Sequence, residues 1–248
     1  MEDKQIPIAI VGMSCRFPGD ADCNHGFWEL LSKGKSAWSK IPNSRFNIDA
    51  YYHPSAKREG AVSEILVRKE TDIQELTIDQ ITTDSGFYLR GDPSKWDAGF
   101  FSMTAAEAAG TDPQQRILLE LAYEAFENGA YNESQISRVV MLTKSIPAGM
   151  SLSMVAGSAT SCYIGAFNSD YGVTSTAQIW DTNPYSVTGI GKSMLSNRLS
   201  WFFDLRGASM TLDTACSSSL VGLHLAMQSL RNGESKMVRL HHLRKRAD

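Results

Sequence analysis

A strand that ends in one cysteine and turns at once into a helix with apolar residues on almost every side leaves few folds open. In "ASMTLDTACSSSLVGLHLAMQSLRNG", residues 208–233, the opening reads as a strand. From Ser217 onward, Leu220, Leu223, Met227 and Leu230 make one helical face, while Val221, Leu225 and Ala226 make the remaining surface apolar too. Such a helix must be covered by neighbouring layers. "IPIAIVGM" (6–13), a continuous apolar run rich in β-branched residues, suits a strand covered on both faces at the centre of a sheet. "GFWELLSKGKSAW" then sets Phe27, Leu30 and Leu31 at helical spacing, with Gly34 as a stop. The clearest helix is "DPQQRILLELAYEAFENGA" (112–130): Asp112 caps it, Pro113 occupies its first turn, Asn128-Gly129 closes it, and Ile117, Leu118, Leu121, Ala125 and Phe126 line one face. "TSCYIGAF" (160–167) is a further strand. Alternating strands and helices predict an α/β layered fold.

Composition narrows the partners. A chain of 248 residues with 42% hydrophobic and 9% aromatic residues can bury a core as one large domain or two small ones. Its 24 basic and 27 acidic residues, net charge −3, give no overall field that would draw nucleic acid or an anionic membrane. Cys15, Cys23, Cys162 and Cys216 lack the paired spacing of a zinc site and are too sparse for a disulfide scaffold, so reduced thiols in the cytoplasm are expected. No apolar stretch reaches the roughly 18–20 residues that span a bilayer, the longest candidates being broken by Glu120 or His224. The opening "MEDKQIPIAIVGMSC" lacks the basic start of a secretory signal, and no export is expected. Three stretches fit poorly: 62–82, charged and weakly helical; 138–156, with little periodicity; and the basic 236–248. Their plainest reading is surface loops and a frayed tail.

A cysteine acts as a nucleophile only as its thiolate. At a helix N-terminus the backbone N–H groups and the macrodipole favour that anion by about 0.3–1 kcal/mol. The same groups can hold an oxyanion formed when sulfur attacks a carbonyl. Strand, Cys216, helix is therefore a sensible nucleophile mount, although a buried cysteine in a tight turn would read the same way. No base accompanies it. His224 lies eight residues along the same helix, about 12 Å away, whereas proton transfer needs about 3 Å. His25 and His53 lie in loop-like sequence, and His241 and His242 in the basic end, where disorder is expected. "SVTGIGKS" (186–193) ends like a phosphate-binding loop, but Ser186 stands where its first glycine should be and no apolar strand precedes it. A glycine-bearing turn before the helix "SMLSNRLSWFF" fits better.

"DTACSSSL" around Cys216 closely resembles the active-site signature of β-ketoacyl synthases, and more narrowly of ketosynthase domains in multidomain reducing polyketide synthases. So do "IAIVGMSCRFPGD", "GFYLRGDPSKWDAGFFSMTAAEAAGTDPQQRILLELAYEAFENG", "SCYIGAFNSDYG" and "LSNRLSWFFDLRGASMTLDTACSSSL", which occur in the family's order. The resemblance implies a thiolase-like fold of two α/β halves, of which this is the N-terminal one: a layered mixed sheet with a buried, nucleophile-bearing helix. It implies that Cys216 accepts an acyl chain from the phosphopantetheine of an acyl carrier protein, its backbone N–H serving as one oxyanion donor. In the complete domain, decarboxylative condensation with malonyl-carrier follows. No directly bound cofactor and no metal are implied. The family's two histidines come from downstream motifs, one "HGTGT"-like and one following a lysine in a "GH" motif, and neither occurs here.

The family unit is expected over 5–235, with atypical insertions at 62–82 and 138–156 and a basic tail, 236–248, without family match. Each interrupts good matches abruptly, which suggests translated non-coding sequence or gene-model errors. The chain is thus expected to be incomplete for condensation and marginal alone, since an uncovered Cys216 helix forfeits several kcal/mol of about 5–15. The competing reading is a non-catalytic fragment that only associates, with a complementary half or as a homodimer through the strand before Cys216.

Overall fold

The computed structural model describes residues 7–45, 47–50, 52, 83–128, 139–141, 151–176 and 183–243. In chain order the elements are β1 (Ala9–Ile10), α1 (Asn24–Ser32), β2 (Trp38–Lys40), a single 3-10 turn (Ile48–Ala50), β3 (Ser85–Phe87), α2 (Ala105–Ala109) and α3 (Pro113–Glu127). They continue with β4 (Val139–Met141), α4 (Leu152–Val155), β5 (Thr160–Ala166), α5 (Asp170–Thr176), α6 (Ser186–Ile190), α7 (Met194–Phe202), β6 (Ser209–Leu212), α8 (Ser218–Arg231) and β7 (Met237–Leu243). Five strands form one sheet in the order β1-β4-β7-β5-β6, every pairing parallel, and β2 and β3 form a separate antiparallel ribbon.

β5 lies between β7 and β6, and all seven of its residues are buried. Its side chains alternate between two layers, as the pleat requires. Cys162, Ile164 and Ala166 join Leu118, Leu119, Ala122 and Phe126 of α3 and Leu195 and Leu199 of α7 in one cluster. On the opposite face, Tyr163 joins Val238 and Leu240 of β7 and Ala226 and Leu230 of α8. The expected α/β layering is therefore present as α3/α7, sheet, α8. The α3 boundaries also match: the Asp112 side chain accepts Gln114 N–H, Pro113 opens the helix and Asn128 closes it.

Several expectations are corrected. Among the described residues, the run 6–13 contributes two paired residues, and they lie at the edge of the sheet, with Ile10 44% exposed. Sheet order is decided by which strands find partners, not by how apolar a strand is. The frayed tail is overturned for 237–243, which form β7 between β4 and β5. His241 and His242, expected to be disordered, pair there with Ile164 and Gly165. The loop reading of 138–156 fails as well: Val139–Met141 is β4, and Val155 is fully buried in the core. Residues 142–150 and 62–82 lie outside the described residues.

β7 reaches the sheet through a short return. Asn232 closes α8, Gly233 takes φ +77°, and the buried Ser235 hydroxyl meets those of Ser161 (2.5 Å) and Ser229 (2.9 Å). Only then does the strand cross the core, and it carries a cation. Arg239 is 2% exposed, donates to Leu121 O at 3.0 Å and lies 5.7 Å from the Phe126 ring centroid. Burial pulls its guanidinium down to about 10, so at neutral pH a charge is held among apolar side chains. Its Nε has no hydrogen-bond partner among the described residues.

Desolvating such a group costs more than one carbonyl bond and one ring contact return. Leu121 O keeps a second donor, the Ser14 hydroxyl at 2.6 Å. Glu124 keeps Arg16, which also pairs with Glu120 at 3.2 Å. Arg239→Met is accordingly expected to raise the free energy of unfolding by about 1 kcal/mol. Urea denaturation followed by far-UV circular dichroism measures it, and a lowered midpoint would show that the guanidinium is a net stabiliser.

Candidate active site

Cys216 stands where the sequence puts it, in the turn between β6 and α8 and one residue before the N-cap, Ser217. Its thiol is free and exposed. Three residues, Asp213–Ala215, separate it from the end of β6 and shape the approach. Ala215 adopts φ +54°, left-handed backbone that a β-carbon disfavours and that persists only when surroundings hold it.

Hydrogen bonds within the turn supply that hold. Asp213 Oδ1 accepts Ala215 N–H at 3.2 Å. The buried Ser218 hydroxyl accepts Thr214 N–H and donates to Ala215 O, both at 2.8 Å. Ser217 Oγ donates to Thr214 O at 2.8 Å. The serines after the cysteine thus bind the turn to the helix head, a use of Ser side chains that local hydrogen bonding favours. Asp213 Oδ2 accepts Lys192 Nζ at 2.7 Å, and this bond, with that from Ala215, holds its carboxyl below the usual carboxylate range.

Behind Lys192 lies a packed corner. "SVTGIGKS" is no phosphate loop here: 186–190 form α6, and Gly191 ends it. Gly189 is present because α6 runs hard against the α2–α3 corner, where a Cβ on it would lie 1.8 Å from Gly110 O. Gly189 O accepts Asp112 N–H at 2.9 Å and Gln115 Nε2 at 2.7 Å. Gln115 Oε1 accepts Arg198 Nε at 2.6 Å, and Arg198 pairs with Glu107 at 2.7 Å. Arg198 and Gln115 are buried, so this polar chain locks α2, α3, α6 and α7 together.

The other candidates are not gathered at Cys216. His224 is exposed on α8, His25 is exposed on α1 at 3.9 Å from Glu29, and His241 and His242 belong to β7. His53 lies outside the described residues. Cys15 and Cys162 are buried, and burial pushes their thiols up, to about 11 and about 12. Cys23 is exposed and accepts Gly26 N–H at the head of α1. Among the described residues no group of histidine, cysteine and carboxylate side chains could hold a metal ion, and no helix is long and apolar enough to cross a membrane. Asp213, Lys192 and Ser218 were not recognised as site residues from sequence. The serine run was the readable signal for Ser218; the Lys192 partnership spans 21 residues and leaves no local pattern.

The family profile described as "Beta-ketoacyl synthase, N-terminal domain" matches residues 5–77 and 63–238. The chain belongs to the β-ketoacyl synthase family. Its curated relatives include the highly reducing polyketide synthase cnsI of Penicillium expansum, 44% identical over 231 residues, which cover 93% of this chain and 8% of that protein. The reducing polyketide synthase FUB1 of Gibberella moniliformis is 45% identical over 233 residues, 94% of this chain and 8% of its own length. Among solved structures, the ketosynthase from module 6 of the bacillaene synthase of Bacillus subtilis superposes with a TM-score of 0.68 at 28% identity. That match covers 97% of this chain and 32% of the other. The oxazolomycin ketosynthase domain OzmH KS7 of Streptomyces albus reaches 0.72 at 24% identity and shares the fold, over 97% of this chain and 35% of its own. The chain therefore spans about a third of a solved ketosynthase chain and 8% of the curated polyketide synthases.

Among the described residues of this ketosynthase segment, α8 is covered on one side only. Ser218, Gly222, Ala226, Ser229 and Leu230 are buried against the sheet. Leu220 is 69% exposed, and Val221, Leu223, Leu225 and Met227 are half-buried. The helix expected to be buried nearly all round has one layer of its cover within these residues.

Iodoacetamide at pH 8 is expected to label Cys23 and Cys216 and to spare Cys15 and Cys162, as read by peptide mass spectrometry. Because burial raises both spared thiols above the ordinary 9.0, they ionise first in the unfolded chain, so the stability tied to them is intact below about pH 9 and lost as pH rises toward 11–12. Gly189→Ala is expected to cost about 1–3 kcal/mol or more, since backbone and not a movable side chain blocks the new Cβ. Thermal unfolding reports it, and an unchanged Tm would mean that α6 shifts freely.

Proposed function

We propose that this segment carries the acyl-transfer half of a β-ketoacyl synthase reaction, with Cys216 as the nucleophile. The observation that carries the reading is a free, exposed thiol immediately before the N-cap of a 14-residue helix, on a turn that side chains hold in left-handed backbone. The Cys216 thiol loses its proton, and its sulfur attacks the thioester carbonyl of an acyl chain carried on the phosphopantetheine of an acyl carrier protein. The carbon–sulfur bond to the carrier breaks, the carrier thiol leaves with a proton, and the acyl group remains on Cys216. While charge sits on the carbonyl oxygen, the Cys216 backbone N–H is one donor to it.

Decarboxylative condensation with a malonyl-carrier belongs to the complete domain. It needs the two histidines of the downstream family motifs, and none of the five histidines in these 248 residues matches either motif. The acyl carrier protein is the partner this chemistry requires, and a homodimer is the assembly expected of the complete domain. A second reading, association without catalysis, draws support from the uncovered α8 face and from β6, an edge strand among the described residues.

Exposure to an acyl thioester of pantetheine, followed by peptide mass spectrometry, separates the two. The acyl-transfer reading expects one adduct, on Cys216, that is absent from Cys216→Ala. Absence of any adduct on a folded chain whose Cys216 still takes iodoacetamide would leave association alone.

A further inference from the structure

Lys192 is a side chain that acyl transfer does not use and that phosphate binding does not explain. It sits on the turn between α6 and α7, and that turn is fixed from behind: Gln115 Nε2 donates to Thr188 O (3.1 Å) and Gly189 O (2.7 Å), and Lys192 O accepts Leu195 N–H at 3.2 Å. From this anchored turn its ammonium reaches Asp213 Oδ2 at 2.7 Å. The other oxygen of the same carboxylate accepts the N–H of Ala215, the residue whose left-handed φ of +54° immediately precedes the sulfur. One carboxylate thus ties the α6–α7 turn to the residue before Cys216, and among the described residues no other ion pair reaches this turn.

We propose that Lys192 and Asp213 are positioning residues for Cys216: the ion pair fixes the carboxylate so that its second oxygen holds Ala215 N–H, and with it the backbone step that sets the sulfur ahead of α8. The proposal rests on Cys216 as nucleophile for its purpose, but its geometry stands apart from that reading. A carboxylate without Lys192 is free to turn both oxygens to water, because Asp213 and Lys192 side chains are 37% and 50% exposed. An amide at 213 keeps an oxygen for Ala215 but loses the charge partner. An arginine at 192 keeps both. The exposure also limits the size of the effect: such pairs change an equilibrium severalfold, not a thousandfold.

The test measures amide hydrogen exchange across 213–217 and the iodoacetamide labelling rate of Cys216 relative to Cys23, which is exposed and distant in sequence. In Lys192→Met, exchange at Ala215 is expected to quicken about three- to fivefold and the Cys216/Cys23 ratio to fall about threefold. Asp213→Asn is expected to fall between Lys192→Met and wild type, and Lys192→Arg to restore both readouts to within twofold. Circular dichroism confirms that each variant keeps its fold, and loss of the fold in Lys192→Met leaves Asp213→Asn and Lys192→Arg to decide by the same readouts. Unchanged exchange and labelling in Lys192→Met or Asp213→Asn overturns the proposal, as does an arginine variant as impaired as the methionine one. Expected shifts in exchange and labelling without acyl adduct on any protein, wild type included, uphold the positioning role and remove the acyl-transfer reading instead.

Discussion

Everything around Cys216 depends on how closely α8 lies on β5 and β7. The helix meets the sheet through its smallest residues, Gly222 and Ala226, with Leu230 closing the far end. A Cβ on Gly222 would stand 2.7 Å from Leu240 Cδ1, so the absence of a side chain there lets the helix axis drop toward the strands. Tyr163, Val238 and Leu240 fill the space from below. With the helix body fixed in this way, its first turn has one place to be. The hydroxyl of Ser218, buried at that contact, then governs Thr214 and Ala215 through two short hydrogen bonds. The position of the sulfur is thus inherited from packing at the other end of the helix, with local hydrogen bonds refining it.

Much of this was readable from residue order, for particular reasons. The ends of α3 were legible because Asp112, Pro113 and Asn128 each perform a local task that other residue types perform poorly. β5 was legible because Cys162, Tyr163, Ile164 and Phe167 make a short run of apolar and aromatic residues that polar residues bound at either end. The Cys216 turn was legible because it is carried by a contiguous motif. β7 was not, since a lysine, an arginine and two histidines in and around "MVRLHHL" hide an alternation that tertiary pairing nevertheless uses. Nor was the edge position of β1, because strand order is settled by partners far away in the chain. The glycine-bearing turn expected over 186–193 was legible because the phosphate-loop pattern fails at Ser186, but the approach of Gly189 backbone to Gly110 backbone was not. Glycine in a turn has several uses, and spacing alone does not choose among them.

The two polar arrangements inside the molecule differ in kind. Arg198 has Gln115, Glu107 and Thr188 O around its guanidinium, so its burial is answered donor by donor and it fixes the mutual placement of four helices. Arg239 has one carbonyl and the face of one ring. A satisfied polar network narrows the arrangements a core can take, whereas a half-satisfied one widens them. The molecule is therefore better determined around α2, α3, α6 and α7 than across β7, and the turn that carries Lys192 belongs to the better-determined part.

The position of β7 bears on how such a chain comes off the ribosome. β4 and β5 are not neighbours; each waits for a strand synthesised after both of them, with α5, α6, α7, β6 and α8 in between. Until it arrives, two strands present open backbone edges toward an unfilled slot, a state that invites pairing with other nascent chains. Vectorial synthesis thus makes this sheet close from the middle and last, and a holding chaperone would act during that interval.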